Sequence, residues 1–153
     1  MGRPARAPGP TGVVGRLWSA VGSAALVVVV LAVLTGCSAG GSARADAEAT
    51  AERFAQAVSA GRGATACALL TRDAREDVET ASGVGCATGI SRLRLAVPPA
   101  DAPGDTLVYG RAAMVDQGGP ALFLARSGST WLVRAAACTP RTDAPYDCTV
   151  DGS

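Results

Sequence analysis

Apolar and polar positions divide this chain into three stretches of different period. From Ala24 to Leu34 every residue is apolar and uncharged, with no period at all. From Asp46 to Ala60 the apolar residues Ala47, Ala51, Phe54, Ala55 and Val58 recur at intervals of three and four, which predicts one face of an amphipathic helix. Glu48, Glu52 and Arg53 fall off that stripe, Asp46 and Glu48 suit the positive N-terminal end, and Gly61 and Gly63 close the helix. Ala64 to Leu70 predicts a short, buried helical turn carrying Cys67. Thr71 can cap a third helix over Arg72 to Ala81, with Asp73 in its first turn and Ser82-Gly83 at its end.

After that the period falls to two. Ile90 to Val97 alternates and is stopped by Pro98-Pro99, which predicts a strand. Thr106 to Asp116, Ala121 to Ser127 and Thr130 to Ala137 are rich in Val, Leu, Tyr, Phe and Trp and predict further strands. Hairpin turns fall at Gln117-Gly118-Gly119-Pro120 and Ser127-Gly128-Ser129. Pro140 and Pro145 make the tail from Cys138 to Cys148 a loop stapled to the last strand. Helices first and strands after predict an α+β domain, with N-terminal helices packed on one face of an antiparallel sheet.

The apolar run has a basic start: Arg3, Arg6 and Arg16 precede it, with no acidic residue among them. Basic start, short apolar stretch and small residues make the pattern of a secretory signal, and the run is shorter than the roughly 20 residues a spanning helix prefers. The basic end stays inside, so the rest is translocated. Leu34-Thr35-Gly36-Cys37 resembles the bacterial lipobox. That resemblance implies a diacylglyceryl group on the Cys37 thiol and cleavage just before it. Residues 1–36 are then a signal-peptide helix, 37–45 a flexible tether with adjacent Gly40 and Gly41, and 46–153 a single extracytoplasmic domain. The partner so implied is the cell membrane, reached through a lipid anchor on its outer face.

Losing the leader leaves 117 residues, enough for one domain, with 11 basic against 13 acidic side chains and a net charge of −2. A nucleic-acid footprint needs clustered Lys and Arg; this chain contains no Lys, and an Ala-, Gly-, Val- and Arg-dominated composition reflects GC-rich coding. Cys67, Cys86, Cys138 and Cys148 are an even set in an exported domain, which argues for two disulfides. Four cysteines allow three pairings. Cys67–Cys86 and Cys138–Cys148 are favoured because each brackets a compact local segment. With no His in the chain and no close cysteine spacing, neither a metal site nor a cofactor is expected.

The order of elements resembles the nuclear-transport-factor-2-like (cystatin-like) cone, three helices followed by a strongly curved sheet. The stretches Ala66-Cys-Ala-Leu-Leu-Thr-Arg72, Val108-Tyr-Gly110, Trp131-Leu-Val-Arg-Ala-Ala-Ala-Cys138 and Pro145-Tyr-Asp-Cys148 are similar to those of a family of small actinobacterial lipoproteins. Across most of residues 46 to 150, that likeness implies an exported, disulfide-bonded lipoprotein, and it brings no catalytic residue with it.

Nucleophilic catalysis needs a base, and both His and Lys are absent. Ser127 and Ser129 read as turn-makers. Two carboxylate pairs, Asp101 with Asp105 and Asp143 with Asp147, are candidates for acid–base work, but each lies beside Pro or Gly and reads as solvated turn acids. In an isomerase or hydrolase of the cone fold, Tyr109 and Asp116, on one expected strand, are the plausible analogues of pocket residues. Tyr146-Asp147, inside the Cys138–Cys148 loop, is the candidate contact loop, unless Tyr146 packs back on Trp131; Trp131 itself reads as core. The expectation is a non-enzymatic lipoprotein that binds a protein or small apolar ligand in a pocket between helix and sheet.

Overall fold

A computed structural model describes residue 2 and residues 39–99, 104–116, 118–143 and 145–153. Four helices come first among these residues: α1 (Ala39–Ser59), α2 (Gly63–Ala68), α3 (Arg72–Ser82) and α4 (Cys86–Leu93). Five strands follow, β1 (Asp105–Tyr109), β2 (Ala112–Asp116), β3 (Ala121–Ser127), β4 (Thr130–Pro140) and β5 (Tyr146–Asp151). They form one antiparallel sheet in sequence order, open, with β1 and β5 at its edges. The fold is α+β, and the signal-peptide helix expected over 1–36 lies outside the described residues.

The stripe on α1 is the core face. Ala47, Ala51, Phe54 and Ala55 are buried with Thr50, whose hydroxyl donates back to the Asp46 carbonyl and so needs no outside partner. The described part of this helix includes residues 39–45, whose small side chains predict a flexible tether. Ala43 packs against the core one turn before Ala47, and alanine is the strongest helix former, so the helix runs back past Asp46.

Thr71 caps α3 by accepting from the Ala74 N–H at 3.3 Å. Its own backbone is tied to the sheet: the Thr71 N–H donates to the Val133 carbonyl, and the Val133 N–H donates to the Leu69 carbonyl. Thr71→Ala therefore removes the cap alone and is expected to cost about 1 kcal/mol, read as a lower urea midpoint at unchanged slope.

The strand expected over Ile90 to Val97 is not one; its first half belongs to α4. Read at helical spacing, Cys86, Gly89 and Ile90 are the buried positions of that helix, and Leu93 is half-buried. Three tertiary contacts hold it. Cys86 is bonded to Cys67, the Glu79 carboxylate accepts from the Cys86 N–H at 3.2 Å, and Gly89 lies tight against Val78 and Ser82 of α3. Arg94 ends the helix at φ 48°.

Thr106 to Asp116 also divides, into β1 and β2 around a two-residue turn, Gly110-Arg111. Gly110 has φ 60°, at the turn position where a type II′ hairpin takes glycine. The hairpins at 117–120 and 127–129 fall where the sequence places them.

Cys138 to Cys148 is not a stapled loop. β4 runs on to Pro140 and β5 returns beside it, with Cys138 directly opposite Cys148 in the register. The turn proper is only 141–145, which places both prolines at its borders. Both disulfides join the favoured pairs, 19 and 10 residues apart in sequence.

The main core lies between the helices and one sheet face, with Phe54, Leu70, Leu122, Leu124, Trp131 and Val133 at its centre. Two register shifts against β3 re-phase β4. Trp131 and Val133 face the helices, Ala135 turns to the opposite face, and Ala136 and Ala137 return to the core, with Ala137 at φ 55°. A smaller cluster on the outward face contains Ala121, Ala135 and Cys138, flanked by Met114, Phe123, Tyr146 and Cys148.

Candidate functional site

Among the described residues three clefts stand out. The largest, about 480 Å³, sits between the C-terminal end of α1 (Val58, Gly61) and the end of α4 with its extended continuation (Ile90, Arg94, Leu95, Val97). A second, about 390 Å³, shares Ala96 with the first and is lined by Pro120, Ala137, Thr139, Asp147, Cys148 and Thr149. The third, about 240 Å³, lies at the other end of β4, where Asp46, Thr50 and Arg53 of α1 meet Ser129, Thr130 and Trp131. The first two therefore gather at the far end of α1 from Ala39. Their volumes lie in the range of small-ligand sites. Arg94 contributes a cationic group to one and Asp147 an anionic group to its neighbour.

The sequence candidates are scattered around these clefts rather than brought together in one. Leu34, Thr35, Gly36 and Cys37 lie outside the described residues, as does Asp101. Asp105 lies opposite Asp116 in the β1–β2 register, at the open end of that hairpin. Asp116 accepts from the Gly118 N–H at 3.0 Å, a turn contact. Tyr109 sits at the hairpin's other end, opposite Ala112, and is 72 % exposed. The two proposed pocket analogues thus stand at opposite ends of two different strands.

Asp143 and Asp147 both face Arg141, at 3.2 and 3.8 Å, in a solvent-exposed ion-pair group. Ser127 and Ser129 flank the turn glycine Gly128. Tyr146 and Asp147 belong to β5, so the candidate contact loop is a strand. Tyr146 packs edge-on against Phe123, with ring centroids 4.9 Å apart, and not on Trp131, which lies on the other face. Its hydroxyl donates to the Met114 sulfur at 3.5 Å.

The residues that sequence reasoning missed are those of the largest cleft. Ile90, Arg94 and Leu95 were expected on a strand, yet the three- and four-residue spacing from Cys86 to Ile90 already carries the helical signal. Arg72 holds its proton more firmly than usual because it donates to Glu76 at 2.8 Å, but that pair stands in solvent on α3. Among the described residues no group of three or more His, Cys, Asp or Glu side chains converges as metal ligands.

Fold and clefts together define an α+β domain with an open, disulfide-clamped sheet and paired surface clefts at one end. Comparison with family models, with curated proteins and with solved structures found no match to this chain.

Proposed function

We propose that this chain is exported, cut before Cys37 and held by acyl chains on Cys37 at the outer face of the membrane, where it acts as a non-catalytic binding module. Its recognition surface is the pair of clefts around Ala96, and its ligand is a partner protein or a small apolar molecule. The observation that carries the reading is the position of the two clefts at the end of α1 away from Ala39. The 21-residue helix extends about 30 Å. Two acyl chains are needed for the anchor, because one holds a protein at a bilayer only reversibly.

Four helices followed by a five-stranded meander support the reading of a cone-type, nuclear-transport-factor-2-like domain from a lipoprotein family of the actinobacterial kind. Two disulfides suit an oxidising, extracytoplasmic setting. A net charge of −2 after loss of the leader favours a partner other than nucleic acid.

Intact mass of the detergent-extracted protein is expected to show a chain beginning at Cys37 and carrying a diacylglyceryl adduct. Cys37→Ala is expected to leave full-length precursor without that adduct. A wild-type chain recovered with its leader attached and an unmodified Cys37 thiol overturns the anchor. A photo-crosslinking side chain at Arg94 is expected to trap a ligand on intact cells, whereas one at Ser129, beside the third cleft, is not; the reverse pattern moves the recognition surface to the anchored end.

A further inference from the structure

We propose that the Cys138–Cys148 bridge is a site of thiol–disulfide exchange, attacked at Cys148 by a dithiol partner. The two bridges differ in exposure. Cys67 and Cys86 are each 7 % exposed and Cys138 is fully enclosed, whereas Cys148 is partly exposed on the edge strand β5. Exchange requires a thiolate to reach a sulfur, so access selects Cys148.

The surroundings suit a protein reductant. Cys148 packs with Phe123, Met114 and Tyr146, an apolar collar around the bridge, and it also lines the second cleft. The ligand class is therefore a dithiol whose reactive sulfur is set in an apolar surface.

The sheet is also built so that the bridge can open without loss of the fold. Thr139 pairs with Asp147 and Pro140 with Tyr146 on one side of it, and Ala136 pairs with Val150 and Ala135 with Asp151 on the other. Val150 is fully buried, the Gly152 N–H donates to the Arg134 carbonyl, and the Asp151 N–H donates to the Asp77 carboxylate. β5 is thus held at both ends independently of the sulfurs. The Cys67–Cys86 bond has no such ladder beside it; it joins two helices and closes the longer loop.

The chemistry balances as two successive displacements. A thiolate of the dithiol attacks Sγ of Cys148, forming a mixed disulfide there. The Cys138–Cys148 bond breaks, and its electron pair leaves on Sγ of Cys138, which takes up a proton. The second thiol of the partner then attacks its own sulfur in the mixed disulfide. That step releases the Cys148 thiol and the oxidised partner, so two electrons pass from the dithiol to the bridge.

The folded, extracted protein is treated with graded dithiothreitol, quenched with iodoacetamide and mapped by mass. Cys138 and Cys148 are expected to open together at least about ten times faster than Cys67 and Cys86, with the near-ultraviolet dichroism of the core retained. In single variants, the thiol left by Cys138→Ala is expected to react with Ellman's reagent in the folded state, and the thiol left by Cys148→Ala only on unfolding. Two bridges that open at one rate, together with loss of the near-ultraviolet signal, overturn the proposal, as does faster opening of Cys67–Cys86. Should either variant fail to fold, the graded reduction of the wild-type chain still decides.

Discussion

Trp131→Ala is expected to destabilise the domain by about 3–5 kcal/mol, whereas Trp131→Phe stays within about 1 kcal/mol of the native protein. Trp131 is 2 % exposed and is the largest enclosed side chain of the core. It stands on β4 opposite Arg126, whose guanidinium carbon lies 5.9 Å from the ring centroid. Truncation to alanine removes a whole ring system between the sheet and α1 and leaves a cavity that the β3–β4 ladder holds open. Phenylalanine keeps most of that volume. It also removes the indole N–H, a buried donor that has no hydrogen-bond partner. An unpaired buried donor costs about 1–3 kcal/mol, so its removal offsets much of the lost apolar surface. Urea unfolding followed by far-ultraviolet dichroism measures both variants, since neither retains the core indole. Equal losses in the two variants refute the account, because they mean that the N–H finds a partner in solution.

The same residue shows how much of this fold its sequence carries. Trp131 was legible as core because Trp131 and Val133 alternate with Leu132 and Arg134, and a strand face that meets helices shows that period. Phe54 and Ala51 were legible on the same grounds at helical spacing, and Thr71 as a cap because its hydroxyl precedes an acidic first turn. Both disulfide pairings followed from local brackets. Where the reading failed, a long-range contact outweighs a local pattern. Ile90 to Leu95 alternates as a strand does, but the bond from Cys86 to Cys67 and the Glu79 cap act on the helical reading. Tyr146 was placed in a loop because prolines flank it, while the Cys138–Cys148 register makes the same prolines the borders of a turn. The helical state of residues 39–45 depends on where Ala43 docks, which no local composition reveals. The clefts around Ala96 were legible only as a pocket between helix and sheet, because their walls come from α1, α4, β4 and β5 at once.

Gly63→Ala is expected to cost 3 kcal/mol or more, beyond the usual range of about 1–3 kcal/mol for an overpacked core site. Gly63 opens α2 against the first turn of α4, and a Cβ built there would collide with the Ala87 carbonyl oxygen and stand 2.9 Å from its carbon. The obstacle is backbone, so no rotamer change relieves it; α2 and α4 must part by more than about 1 Å. The Cys67–Cys86 bond ties those same two helices together and opposes that separation. The strain would pass into Gly61 and Ile90, which wall the largest cleft, so ligand capture at Arg94 is expected to fall along with stability. Gly85→Ala is the control, since Gly85 is exposed and a Cβ there meets nothing within 4 Å; it is expected to change stability by no more than about 0.5 kcal/mol. Urea midpoints at matched slopes compare the two. A Gly63→Ala variant as stable as Gly85→Ala would mean that α2 and α4 do not approach as closely as the glycine permits, and the wall of the cleft would have to be redrawn with them.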